Sequence, residues 1–254
     1  NVDIRTHQDE WNNGWCDNNS PEQADEAFAS DIAIEAAGDL VLLVWRHNTN
    51  TLKFAMNDDP SGENCFQHDL LEITNIGQNT LIAPQISFMK NGDDLVPVVA
   101  WHHLGEEPVR DIQLARLHKD AAAEEHQWHT VSFYEQAEPH ITDIINDHAH
   151  DLPQIVGDRL NDNHFYLAWR LCAPNAEGEN CDYNNIGSAE MLDNLSGQVV
   201  RIKWSDTSPT EPEDFTAISG SLSDSQPLID HTDVRSLGLA ADDIRLCIAS
   251  YHQP

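Results

Sequence analysis

Three short apolar runs, each ending in tryptophan, constrain the fold of this chain more than any other feature. The runs span residues 40–45, 95–101 and 164–169 and end at Trp45, Trp101 and Trp169. They are rich in β-branched or aromatic residues and bounded by turn-forming residues, a pattern that predicts β-strands. Each run also has a strand candidate on either side. The preceding candidates are 31–34, 83–87 and 152–156, and the following ones are 52–56, 111–117 and 198–204.

The strand that follows each run leads into an acidic turn and then an aromatic residue. The aromatic residues are Phe66, Trp128 and Phe215. A unit of several short strands that recurs at about 50 residues is typical of propeller blades. We therefore predict an all-β fold, an irregular propeller of about four blades of short antiparallel strands, with little helix. An antiparallel sandwich is the alternative.

The predicted propeller occupies residues 1–254 as a single domain. Its terminal segments, 1–27 and 228–254, are expected to complete the closure of the ring. The best candidate for a short helix begins at Ser20, which would cap it, with Pro21 at the first helical position.

Charge excludes several classes of function. The chain carries 44 acidic and 13 basic residues, a formal net charge of -31, so its field repels polyanions and anionic membranes. No run approaches the roughly 18 apolar residues of a membrane-spanning helix. The same field attracts cations, and 14 histidines lie within it.

The cysteines and the start of the chain favour an exported protein. The sequence begins without Met or an apolar leader and looks processed, which predicts secretion or display on the outer cell surface. Five cysteines fit two disulfides and one thiol. We predict a disulfide between Cys172 and Cys181. We suggest a second between Cys16 and Cys65, and expect Cys247, in an apolar run, to be buried.

Histidines two residues after tryptophan suggest a metal site. They occur in Trp45-Arg46-His47 and Trp101-His102-His103. On an extended segment residues i and i+2 face the same side, so the indole and the imidazole lie side by side. Imidazole ligands without thiolate or carboxylate suit copper better than calcium or magnesium. The alternative is a buried tryptophan beside a solvated histidine.

The Trp-x-His tripeptide, the acidic all-β character and the chain length resemble the copper-repressible, surface-associated copper-binding proteins of methanotrophic bacteria. The resemblance implies one copper(I) ion held by two histidines and a tryptophan oxidised to kynurenine. Carried onto this sequence, the modified residue matches Trp45 and the ligands match His47 and His118. It also implies copper acquisition at the cell surface by binding rather than turnover, so we expect no enzymatic activity.

The position of the second ligand has a geometric alternative. In a regular propeller His47 and His118 leave strands at opposite ends of the blades. His102 or His103 occupies the equivalent position of the next blade and would be the better partner for His47 on that geometry. Trp101 with His103 is the alternative Trp-x-His pair.

An alternative function and an additional cofactor remain open on sequence alone. The acidic turns resemble degenerate Asp boxes of sialidase-like propellers, so a propeller glycosidase or a carbohydrate-binding propeller is the alternative function. Arg46 and Arg170, each directly after a strand-ending tryptophan, could point at its central site, although no tyrosine nucleophile is evident. Calcium is a possible additional cofactor at the oxygen-rich turns 57–63 and 161–163.

Overall fold

A computed structural model describes eleven ranges of the chain. They are residues 29–38, 40–47, 51–57, 84–104, 110–120, 125–137, 149–172, 195–205, 211–217, 234–241 and 246–252. Nearly all of these residues lie in β-strands. The strands are β1 (Ala29–Ala37), β2 (Leu40–His47), β3 (Thr51–Asn57), β4 (Gln85–Asn91), β5 (Asp94–Leu104), β6 (Arg110–Asp120), β7 (Glu125–Ser132), β8 (Ala149–Gly157), β9 (His164–Cys172), β10 (Leu195–Trp204), β11 (Pro212–Ala217), β12 (Val234–Ala241) and β13 (Leu246–His252).

Within the described ranges the strands form four antiparallel sheets in chain order. The first sheet contains β1–β3, the second β4–β7, the third β8–β11 and the fourth β12 and β13. Each sheet pairs strands that follow one another along the chain, as in the blades of a propeller. The predicted all-β, propeller-like repeat of about four blades is confirmed. Trp45, Trp101 and Trp169 all lie on the second strand of their sheets, as the repeat predicted.

The first strands of the sheets are neighbours around a common axis. Strand β4 contacts both β1 and β8, and β8 also contacts β12. Strand β8 also contacts β5 and β6 of the second sheet. The four inner strands therefore bring together residues that are far apart in sequence.

The second sheet is buried on both faces. Alternate side chains of its strands point to opposite faces, so one set faces the first sheet and the other set faces the third. On one face Val99 and Trp101 pack with Leu42 and Val44 of the first sheet. On the other face Ala100 packs against apolar side chains of the third sheet. Three tryptophans, Trp101, Trp169 and Trp204, are at most 1% exposed. These two apolar layers hold the first three sheets together.

One short helix, α1 (Phe133–Ala137), follows β7 in the described part of the chain. The Ser132 hydroxyl accepts a hydrogen bond from the Glu135 backbone N–H at 3.1 Å, so Ser132 caps the helix. Phe133 is buried against the edge of Trp169, with ring centroids 5.0 Å apart. The helix predicted to begin at Ser20 and the closing segment 1–27 lie outside the described residues. Among those described, no helix has the length and apolarity needed to cross a membrane.

Cys247 corrects one sequence prediction. It is a free thiol on β13, but its side chain is exposed rather than buried. Its apolar neighbours Leu246 and Ile248 are half-buried. Because successive side chains of a strand point to opposite faces, burial of these neighbours turns Cys247 outward. Cys16, Cys65 and Cys181 lie outside the described residues, so the two disulfides stay predictions.

Candidate functional site

A cavity of about 380 Å³ opens where the inner strands of all four sheets converge. This volume lies within the range of small-molecule sites, which is about 300–1,000 Å³. Backbone and apolar side chains form much of its wall, including Phe88, Leu95 and Ile155. We call this space the axial cavity.

Three charged side chains line the axial cavity. Glu35 comes from β1, Lys90 from β4, and Arg159 from the turn after β8. Lys90 also forms an ion pair with Asp162, whose Oδ1 lies 3.0 Å from the Lys90 Nζ. Glu35 is the one acidic residue in the described lining. A carboxylate and two cations therefore line the same cavity together with apolar side chains, an arrangement that can orient a polar ligand.

The wall between β4 and β8 depends on a very close backbone approach. A Cβ atom added to Gly157 would lie 1.8 Å from the Phe88 backbone oxygen, so only glycine fits there. Next to this contact, the Gly157 N–H donates a 2.8 Å hydrogen bond to the Ser87 hydroxyl. The second and third sheets are therefore locked together at the cavity wall.

The turn that carries Arg159 is organised by the buried carboxylate of Asp158. This carboxylate accepts hydrogen bonds from the backbone N–H groups of Leu160 and Asn161, at 2.9 and 3.2 Å. The Tyr166 hydroxyl donates to it at 3.1 Å, and Arg201 forms an ion pair with it at 2.9 Å. Burial alone would raise the pKa of Asp158, but the Leu160 N–H, the Asn161 side-chain amide and Arg201 outweigh burial and lower it. Asp158 is therefore ionised and acts as a structural anchor.

A buried arginine ties the same turn to the second sheet. Arg116 on β6 donates to the Asn163 side-chain oxygen at 3.2 Å and to the Ser205 carbonyl at 3.4 Å. Asn163 adopts a positive φ of 59°, a conformation that asparagine tolerates better than most residues. Its N–H donates to the Lys90 carbonyl at 2.6 Å. The turn thus joins the strands that carry Lys90 and Arg116.

The predicted calcium turn 161–163 uses its side chains in protein contacts. Asn161 donates its amide to Asp158 at 3.0 Å, Asn163 accepts from Arg116, and Asp162 pairs with Lys90. The other predicted calcium turn, 57–63, lies outside the described residues after Asn57. Calcium binding stays a prediction.

The predicted copper ligands are spread over two sheets. Trp45 is half-buried on β2. Leu42 and Val44 of the same strand pack towards the second sheet. Because side chains alternate along a strand, the Trp45 indole lies on the other face of the first sheet, turned away from the second. On β6 Leu117 packs towards the first sheet, so His118 lies on the opposite face, towards the third sheet. The structure therefore does not bring Trp45 and His118 together.

The other predicted ligands are only partly described. His47 pairs with Ala29 and Thr51 through the backbone, but its side chain is outside the described part, so its ligand role stays a prediction. Trp101 is buried between the first and second sheets, and His102 is buried on the opposite face. The side chains of His103, Arg46 and Arg170 are not described. Among the described residues, no group of three or more His, Cys, Asp or Glu side chains could hold a metal ion.

Sequence reasoning missed the residues that the structure brings together. Glu35 on β1, Lys90 on β4 and Arg159 in the turn after β8 are far apart in sequence, and no local motif marks them. His129, beside the predicted ligand His118, was also missed; their ring centroids are 5.9 Å apart. The signal for His129 was the acidic turn between the two histidines, because a hairpin turn brings the strands on either side of it together.

Comparison with known proteins gives distant structural matches. No protein-family model matches the chain, and no curated protein matches it. The family-43 endo-arabinanase from Bacillus licheniformis has 14% identity and a TM-score of 0.40, over 88% of this chain and 68% of that one. A thermostable family-43 glycoside hydrolase has 9% identity and a TM-score of 0.39, over 88% and 65%. An exo-1,5-alpha-L-arabinanase from a bovine ruminal metagenomic library has 11% identity and a TM-score of 0.42, over 87% and 68%.

These matches correct the expectation that the protein is not an enzyme, because all three are glycoside hydrolases. The chain spans about two thirds of the length of each matched structure. At this distance the matches assign no substrate and no catalytic residue to this chain.

Proposed function

We propose that the protein is a carbohydrate-active propeller enzyme, a glycosidase that holds a sugar in the axial cavity. The observation that carries the proposal is the convergence of Glu35, Lys90 and Arg159 in a cavity formed by all four sheets. Sugars present hydroxyl groups at their edges and C–H groups on their faces. A wall of apolar side chains with a few charged groups is complementary to both.

Glu35 has the central chemical role in this proposal. Hydrolysis of a glycosidic bond uses two carboxyl groups, one that protonates the leaving oxygen and one that acts as base or nucleophile. Glu35 supplies one of them, since it is the carboxylate in the described lining. We assign Lys90 and Arg159 to orientation, because their fixed positive charges can hold hydroxyl or carboxylate oxygens of the sugar.

The ion pair between Lys90 and Asp162 positions the lysine for this role. Their 3.0 Å contact links the inner strand β4 to the turn that carries Arg159. The turn is itself held by Asp158 and by Arg116, so both cations are attached to a rigid support.

Ligand-observed NMR with soluble oligosaccharides tests the binding step. The panel includes arabinan fragments, because two of the matched structures are named for arabinanases, and sialylated and uronic-acid oligosaccharides. We expect saturation transfer to at least one sugar, weakened at least about tenfold by Arg159→Ala. Exposed Arg159 is not part of the hydrogen-bonded anchor, so the variant should fold normally. Absence of transfer to every sugar would contradict a sugar-binding cavity.

A further inference from the structure

The charge of the axial cavity is opposite in sign to that of the whole chain. Its described lining contains two basic residues, Lys90 and Arg159, and one acidic residue, Glu35. The chain as a whole has 44 acidic and 13 basic residues. At physiological salt, charges further apart than about 8 Å are largely screened, so a bound ligand senses the cavity residues more than the distant acidic surface. The cavity is therefore locally suited to a negatively charged group.

Glu35 and Arg159 line the same cavity but do not neutralise each other. Among the described residues, neither of these side chains forms an ion pair or a hydrogen bond. Strand β4 contacts both β1, which carries Glu35, and β8, which leads into the turn with Arg159. The two charges therefore come from either side of β4, and both are available to a ligand that spans the cavity.

The position of Glu35 makes its lack of a partner informative. On β1 Glu35 has the same orientation as Ala33 and Ala37, which pack towards the second sheet, so its carboxylate is directed there too. Lys90 lies on the nearest strand of that sheet, yet it pairs with Asp162 rather than with Glu35. Part of the Lys90 charge is thus used within the protein, whereas the charge of Arg159 is not.

Arg159 is the group in the lining that best fits a carboxylate. A guanidinium presents parallel N–H donors that match the two oxygens of a carboxylate, and it stays charged throughout the working pH range. The turn that carries Arg159 is held by Asp158 and by the hydrogen bond from Arg116 to Asn163. A sugar phosphate fits less well, because its second negative charge would lack a free cation.

We propose that the axial cavity selects sugars that carry a carboxylate, with the carboxylate on Arg159 and the scissile bond towards Glu35. This inference rests on the proposed glycosidase function and names its substrate class. Uronic acids and sialic acids both present such a carboxylate, and the experiment below separates the two sources. Selection comes from the charge-assisted hydrogen bonds to Arg159, which a neutral sugar of the same shape does not make.

Binding of matched pairs of sugars to the full-length protein tests this selectivity. One pair is galacturonic acid oligosaccharides and the same oligosaccharides with methyl-esterified carboxyl groups. The other pair is sialyllactose and lactose. In calorimetric titrations we expect at least one acidic sugar to bind at least about tenfold more tightly than its neutral partner. The pair that shows the preference identifies the source of the carboxylate.

Variants of Arg159 connect the preference to the cavity. Arg159→Ala should remove the preference, so that the acidic and neutral sugars bind alike. Arg159→Lys should keep part of it, because lysine retains the charge but not the paired donors. Lys203→Gln is the matched control, since it removes one positive charge outside the cavity lining, and it should keep the wild-type preference. Arg159 is exposed, so both of its variants should keep the wild-type circular dichroism spectrum.

The possible failures of this inference and of the proposed function are distinguishable. Equal binding of each acidic sugar and its neutral partner by the wild type would overturn the inference but leave a sugar-binding cavity in place. A preference that Arg159→Ala retains would also overturn it. Failure of every sugar to bind would contradict the proposed function and, with it, this inference.

Discussion

Gly157 lies so close to Phe88 that a methyl group at its Cβ position would be 1.8 Å from the Phe88 backbone oxygen. The contact joins the inner strands of the second and third sheets beside the axial cavity. The partner atom belongs to the backbone, so no side-chain rotation can relieve a clash. The spacing of two sheets, and with it the shape of the cavity wall, therefore depends on this one glycine.

Replacing Gly157 by alanine should lower the free energy of unfolding by at least about 2 kcal/mol, because strands β4 and β8 must separate to admit the methyl group. Urea denaturation followed by tryptophan fluorescence measures the change. Gly238→Ala is the matched control, since the nearest atom to its added Cβ is the Ala249 Cβ at 3.9 Å. Equal stability of the two variants would show that β4 and β8 do not approach as closely as described.

Asp158→Asn should destabilise the fold by about 2 kcal/mol at neutral pH, because it removes a buried charge paired with Arg201. The pKa of Asp158 is lower in the folded state, so its contribution is present above the pKa of the unfolded chain. It is lost as the pH falls through the lower, folded pKa. The stability difference between wild type and variant should therefore shrink in strongly acidic solution.

Denaturation curves recorded from neutral to strongly acidic pH check this dependence. Asp162→Asn provides the comparison, because its ion pair with Lys90 is exposed and should contribute less than about 1 kcal/mol. A pH-independent difference between wild type and Asp158→Asn would contradict the assigned role of the charge.

Substitutions of Asn163 should separate its backbone and side-chain roles. Asn163→Gly keeps the positive φ of 59° accessible but removes the oxygen that accepts from Arg116. Asn163→Ala loses the same bond and adds about 1–2 kcal/mol of backbone strain. Thermal melts should therefore rank the wild type above glycine and glycine above alanine. An alanine variant as stable as the glycine variant would argue against the left-handed turn.

The strands were predictable because their signal is local. Runs ending at Trp45, Trp101 and Trp169 alternate or cluster apolar residues over a few positions, and each became the second strand of a sheet. Burial direction was less predictable, as the exposed Cys247 shows. An apolar neighbourhood in sequence does not place a strand residue in the core, because its neighbours face the opposite side.

The candidate sites were largely hidden from the sequence because they depend on register and on sheet packing. Glu35 and Arg159 line the same cavity only because the first strands of neighbouring sheets lie side by side. His129 neighbours His118 only through the register of the β6–β7 hairpin. Trp45 and His118 were predicted as one site. They are separate because of the face on which each side chain lies in its sheet. The spacing of residues along the chain does not determine which face of a sheet packs inward.

The release of reducing sugar from oligosaccharides by full-length protein tests the central claim most directly. We predict measurable hydrolysis of at least one substrate in the panel, with Glu35→Gln reducing kcat at least about 100-fold, since it removes a group that transfers a proton or attacks the sugar. Glu211→Gln, at an exposed position outside the cavity lining, should retain the wild-type rate. Hydrolysis that Glu35→Gln leaves unchanged, or no hydrolysis of any substrate by the wild type, would contradict a glycosidase centred on the axial cavity.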